Sequence, residues 1–340
     1  MRKIQEGRYV TIPVKQEMLP LLHRTLLLSI CLLLLLAGRS QTYSTIPVTG
    51  FNEDVIANGS TLLTSVTADA DGANYYFLNQ TFTAFGTPTY SLPTSGTINS
   101  ASTSGLTFQM ADATGPNTLR LSTAVTSGTL NFVTPQQAGT LYLLVTSGSG
   151  ASTINVTVTF SDATTQVFTG FSIPDWYGTG TTAMQGIGRT STTALEGTST
   201  NPKLFQIALT LSGANFFKNI TGISVTRVSG GVPHVMAVSK AAACAIPPAS
   251  PTLLNLSAVS TSSISGSFTA AVPAADQYLV VQYLSGATPV DPSHGTTYSA
   301  GQSLGSGTVI QSSATTTFTA SGLSASTGYT YYIYPLNNTG

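Results

Sequence analysis

The stretch VTVTFSDATTQVFTGFSIPDWYG, residues 156–178, decides the fold. Val156, Val158 and Phe160 alternate with Thr157 and Thr159, Ser161-Asp162-Ala163-Thr164 supplies a turn, and Val167 and Phe171 resume an apolar face. Period-two alternation on both sides of a turn predicts a β-hairpin with one buried face. The hairpin runs through Ile173 and Pro174 into Asp175, Trp176 and Tyr177, where the only Trp of the chain stands beside a Tyr. Such an aromatic pair in a loop is either a plug of the core or a platform for a ligand.

Outward from this hairpin, period-two or short apolar runs predict strands at residues 75–85, 106–110, 118–121, 129–132, 141–145, 154–160, 166–173, 204–211, 220–228 and 233–238. Turn formers separate them, among them Gly72, Gly86-Thr87-Pro88, Gly115-Pro116-Asn117, Gly148 to Gly150 and Gly230-Gly231. Residues 214–218 are the best helical candidate and read better as a turn. Many short strands at this spacing predict an all-β chain whose first domain, residues 41–240, is a jelly-roll or β-sandwich. Residues 241–251, rich in Ala and Pro, read as a linker with Cys244 inside it, and residues 252–340 form a second domain.

Charged residues are only 7% of the 340-residue chain, while 41% are hydrophobic and 9% aromatic. That is enough apolar material to build sheets rather than a disordered chain. His23 and Arg24 precede a Leu-rich run over residues 26–37, and Gly38-Arg39-Ser40 offers small residues at the spacing of a signal-peptidase site. Residues 1–40 are therefore read as a signal peptide cut between Ser40 and Gln41, with Met18 as a second possible start, and the chain as secreted or surface-exposed. Contact with a membrane is expected only through this segment during export. Its removal takes away six of twelve Lys and Arg but only Glu6 and Glu17, leaving six basic against ten acidic residues, about four net negative charges. A mildly acidic surface argues against nucleic acid as a partner. Cys244 is then the one cysteine left, in search of a partner.

Phe51-Asn52-Glu53-Asp54 at the opening, the Thr164-Thr165-Gln166 hairpin leading to Ile173-Pro174-Asp175-Trp176, Gly186-Ile187-Gly188-Arg189, and the closing Ile220-Thr221-Gly222-Ile223 to Met236-Ala237-Val238-Ser239 make the first domain resemble galactose-binding-like jelly rolls. The resemblance implies an accessory module of a secreted protein, many of which bind sugars. In the second domain, Phe268, Tyr278, Val280, Leu323, Tyr329, Tyr331 and Ile333 resemble a fibronectin type III domain. There Leu323 and Tyr329 match the corner in which a Tyr hydroxyl bonds back to the preceding turn. Phe268 takes the place of the usual strand B Trp, and no last strand follows residues 337–340. That shortfall reads as a fragment of a longer exported protein.

The candidate binding residues are Trp176, Tyr177, Asp175, Gln185 and Arg189, an indole or phenol face for a sugar ring with polar side chains around it for the hydroxyls. The other reading of Trp176 is a seal at the end of the sandwich. Asp69-Ala70-Asp71-Gly72, with Asp54, offers hard oxygen ligands for a structural Ca²⁺, against a plain polar turn. No other cofactor is expected. Gly178-Thr-Gly180-Thr-Thr-Ala183 fits a dinucleotide fingerprint in letters but lacks the βαβ setting that gives it meaning. His234 and His294 lie in different domains, so no His-based triad or metal site is expected, and His234 reads as a polar residue at a strand start. Asp112, Asp162, Asp175 and Glu196 sit mostly at turns, with no pairing across a cleft legible. The function read from these residues is a non-catalytic binding or adhesion protein, a carbohydrate-binding module with a fibronectin type III spacer. The alternative is an accessory part of a secreted hydrolase whose catalytic domain lies beyond residue 340.

Overall fold

In the computed structural model, residues 41–62, 66–242, 249–293 and 296–337 are described. The expected signal segment up to Ser40, the linker cysteine Cys244 and His294 lie outside them. Strands make up the regular structure, with one 3-10 turn, Gly213–Asn215.

Two strands organise residues 41–242. Thr140–Phe160 and Ile220–Ala241 run antiparallel over nearly their whole lengths, 21 and 22 residues. The sequence reading divides each in two, at the glycines Gly148 to Gly150 and Gly230-Gly231. The chain does not stop there but bends, because the register shifts between Arg227 and Ser229 and again between Gly230 and Val232. Extra unpaired residues on one strand let a ladder kink without losing its neighbours. The Ser147 hydroxyl holds the bend by donating to the Gly150 carbonyl at 2.7 Å.

The bend turns one nine-stranded sheet into two layers. On one side of it the paired long strands are flanked by Lys203–Thr210 and Thr182–Gln185, and by Tyr43–Ile46 and Leu119–Arg120. On the other side they are flanked by Thr165–Ile173, and by Ser127–Gln136 and Val48–Thr49. Alternate residues of both layers, Leu141, Leu143 and Val145 from one and Val156, Val158, Phe160, Ile223 and Val225 from the other, bury into one core. Strands that pass from sheet to sheet at a corner are a known way to close a sandwich. Burying each such side chain stabilises the fold by about 1.5–3 kcal/mol.

The first layer is apolar on its outer face as well, and a cap covers it. Leu144, Leu204, Met236 and Ala237 meet Val55, Ile56, Phe77, Leu92, Ile98, Phe108, Trp176 and Ile187. The cap holds a small sheet of Leu195–Glu196, Arg189–Thr190, Tyr76–Leu78 and Ile56–Ala57, and a hairpin of Thr97–Asn99 with Thr107–Gln109. Each of these six strands is two or three residues long, too short for a period to register. His234 ties layer to cap and is not the polar edge residue expected. It is fully buried, with Nε2 2.7 Å from the Ala70 carbonyl and Nδ1 3.3 Å from the Thr118 hydroxyl.

Residues 252–336 form a second sandwich. Thr252–Ser260, Ser263–Thr269 and Thr317–Ser321 make one sheet, and Ser303–Leu304, Gly307–Ser313, Gln277–Leu284 and Tyr329–Leu336 the other. Phe268 and Phe318 from the first sheet pack with Tyr278, Val280 and Tyr331 from the second. Among the described residues Tyr329–Leu336 pairs only with Gln277–Leu284. The Tyr329 hydroxyl accepts the Ser324 N–H at 3.0 Å while Leu323 packs on the core, and Phe268 meets Tyr278 edge-on at 5.0 Å.

Candidate functional site

After Ile173 the chain crosses the bend of the long strands, and that crossing places Trp176 and Tyr177. The Trp176 N–H donates to the Ser147 carbonyl at 2.8 Å, and the Lys203 N–H donates to the Trp176 carbonyl at 2.8 Å. Asp175 clamps both neighbours: one carboxylate oxygen accepts the Tyr177 N–H at 2.9 Å, the other the Gly150 N–H at 2.7 Å. Trp176 is therefore pulled inward. It is 3% exposed and meets Phe77 edge-on at 5.3 Å. A sugar needs an open ring face, so the indole is the plug of the core, and its reading as a platform is corrected. Tyr177, the next residue, points the other way and is 41% exposed.

Arg189 completes the cluster. It sits directly opposite Glu196 in a two-residue ladder, and its Nε and Nη2 both donate to one Glu196 carboxylate oxygen, at 3.0 and 2.7 Å. With its edge so held, the guanidinium lies 3.7 Å from the ring centre of Tyr75 and 4.9 Å from that of Tyr177. A cation over aromatic faces adds about 0.5–2 kcal/mol, more as water is excluded. The half-exposed ion pair itself contributes about 1 kcal/mol at most. Burial pushes the Tyr177 phenol above its ordinary value, although Arg189 opposes this, so the ring stays neutral at physiological pH. The result is a pinned, neutral, open phenol beside a charge pair, able to meet C–H groups with its face and hydroxyls with its rim.

Of the five expected binding residues, the structure thus brings Trp176, Tyr177 and Arg189 together, with Trp176 below the surface. Asp175 acts as a clamp within the loop. Gln185 is exposed at the end of its strand, opposite Lys203, with no described hydrogen bond to the tyrosines. Tyr75 and Glu196 were not among those five. Glu196 is seven residues from Arg189, a spacing that suggests a hairpin, but Tyr75 is more than a hundred residues away and nothing local points to it.

The three carboxylates expected for calcium are not one site. Asp69 accepts the Gly72 and Asn74 N–H groups and pairs with Arg120 at 2.9 Å. Asp71 accepts the Ala73 and Tyr75 N–H groups. Asp54 lies buried elsewhere, accepting from the Asn117 amide and the Ile56 N–H. Among the described residues no three His, Cys, Asp or Glu side chains gather as metal ligands. Backbone donors already meet these oxygens, which is what polar turns do. Burial, with the charge of Asp112 adding to it, pushes the Asp54 carboxyl up to about 6. The remaining acids also serve turns: Asp162 bonds Thr164 and Lys218, and Asp112 bonds Thr114.

No family model matches the chain, and no curated protein matches it. Among solved structures it is similar to the FN1–FN3 domains of chicken contactin, at 12% identity and a TM-score of 0.28, covering 63% of this chain and 58% of that one. It is also similar to a two-domain fibronectin type III segment of chicken tenascin, at 11% identity and a TM-score of 0.21, covering 63% and 85%. A β-1,2-glucanase from Parabacteroides distasonis matches at 10% identity and a TM-score of 0.21, covering 62% and 30%. Likenesses this distant carry no argument, and the fold rests on the strand pairing itself. Among the described residues no helix is long and apolar enough to cross a membrane.

Proposed function

We propose that the chain is an exported, non-catalytic binding protein that engages the sugar rings of a surface glycan at Tyr177, with Arg189 and Glu196 bonding its hydroxyls. The observation that carries this reading is the opposed setting of two neighbouring aromatics. Trp176 is buried, whereas Tyr177 leaves two-fifths of its surface in solvent on a loop clamped by Asp175 and beside a fixed guanidinium. A rigid aromatic loses little conformational entropy on binding, which favours it as a recognition element. Export is supported by the Leu-rich run and small-residue site of residues 1–40. On this reading residues 41–240 are the binding module and the fibronectin type III-like sandwich beyond the Ala/Pro linker is its spacer.

A glycan array probed with the full chain tests the reading. At least one extended polysaccharide is expected to bind, and Tyr177→Ala to lose that signal while unfolding within a few degrees of the parent. An array on which nothing binds would contradict the glycan part.

A further inference from the structure

No positive charge beside Tyr177 is left unmatched. Arg189 has already used the edge of its guanidinium that could grip a carboxylate with two parallel bonds: Nε and Nη2 both donate to Glu196 Oε2, at 3.0 and 2.7 Å. Rings surround the same group, with Tyr75, Tyr177 and Trp176 at 3.7, 4.9 and 5.3 Å from its central carbon to the ring centre. Lys203, the other cation of this loop, donates its ammonium to the Gly178 carbonyl at 2.8 Å.

Carboxylates outnumber these cations. Glu196 and Asp175 both act on the Tyr177 phenol in opposition to Arg189, and Asp71 is attracted to Arg189 as well. Three acids therefore stand against two bases. What the Arg189–Glu196 pair leaves open is a donor beside an acceptor. Arg189 Nη1 has no acceptor among the described residues, and Glu196 Oε1 has no donor. Neither is a buried atom without a partner, so both reach the surface, where the Glu196 side chain is 36% exposed.

Taking Tyr177 as a sugar contact, we infer that this surface selects uncharged sugars over acidic ones, and that Glu196 sets the choice by neutralising Arg189. A sugar hydroxyl is donor and acceptor at once, so it can accept from Nη1 and donate to Glu196 Oε1. A uronate carboxylate or a sulfate group can only accept. It would be brought against Glu196 and Asp175, with the gripping edge of Arg189 already occupied. Like charges set against a partner in this way exclude it rather than tighten the right one.

The test titrates the full chain with uncharged polysaccharides (a β-glucan, a galactan, a mannan and a xylan) and with acidic ones (polygalacturonate, alginate, hyaluronan and heparin). At least one uncharged polymer should bind, about tenfold or more tighter than any acidic one. Its affinity should hold at about 1 M salt, where the screening length is only about 3 Å. Glu196→Gln keeps an acceptor for Arg189 but removes the opposing charge, so the preference for the uncharged polymer should shrink about fivefold. Asp162→Asn, the same change of charge at the turn of the 156–178 hairpin, should leave the preference as in the parent. An acidic polymer that binds as tightly as the uncharged ones, uncharged binding that fades with salt, or a Glu196→Gln protein with the parent's preference would overturn the inference while leaving Tyr177 a sugar contact. Binding to none of these polymers would overturn both.

Discussion

Trp176 and Tyr177 differ by one position and by nearly the whole of their exposure, 3% against 41%, so truncating them should separate stability from binding. Trp176→Ala removes a ring packed on Phe77 and should cost about 3–5 kcal/mol in chemical denaturation. Tyr177→Ala should cost under about 1 kcal/mol. A second pair of residues makes stability depend on pH in opposite senses. Burial holds His234 down to about 4, so between pH 6.5 and 4 the unfolded chain takes up a proton that the folded one refuses, and stability falls on acidification. Asp54, raised to about 6, keeps its proton in the fold over the window where the unfolded chain has released it, and stability rises on acidification from 6 toward 4. Asp54→Asn removes the second effect alone. Denaturation curves for this variant should therefore lose stability more steeply between pH 6.5 and 4 than those of the parent, and equal slopes would contradict the assignment. At this scale the sequence is only partly legible: the residue pair 176–177 stands out as aromatic, but which ring turns inward is decided by Ser147 and Lys203, distant in the chain, and Tyr75 reaches Arg189 only through the cap.

The long strands carry the architecture, and their glycines are where it can be broken. A Cβ on Gly231 would overlap the Gly148 and Gly150 carbonyl oxygens across the bend, and backbone cannot swing aside as a side chain can. Gly231→Ala should destabilise the protein by about 1–3 kcal/mol and lower its melting temperature, whereas Gly115→Ala, with nothing near its Cβ, should not. A melting temperature unchanged in Gly231→Ala would contradict the corner. The alternation in residues 154–160 and the hairpin turn at Ser161 to Thr164 make the pair Thr140–Phe160 and Thr165–Ile173 legible from sequence. Continuity through Gly148 and Gly230 was not legible, because Gly-rich segments signal a turn and a bulge with the same letters. The cap was legible least, since strands such as Arg189–Thr190 owe their form to the surface of Leu144, Leu204 and Met236 that they cover.

For the molecule as a whole, two all-β units follow from composition and punctuation: few charges, many Thr and Ser, and an Ala/Pro shift before residue 252. The strands of the second sandwich are the most legible, because its alternating Tyr and Val residues and the Tyr329 corner are local patterns. The first unit was read as a sandwich, but its third layer, which carries Tyr177, depends on contacts between residues 51–118 and 175–202 that no local pattern encodes. On the proposed function, this layer is a binding surface with Tyr177 at its contact point. Its most direct test is calorimetric titration of the array-selected glycan into the full chain and into Tyr177→Ala. Binding is expected to weaken at least about tenfold in the variant, roughly 1.4 kcal/mol, with a melting temperature within a few degrees of the parent's. A Tyr177→Ala protein that titrates like its parent would contradict it.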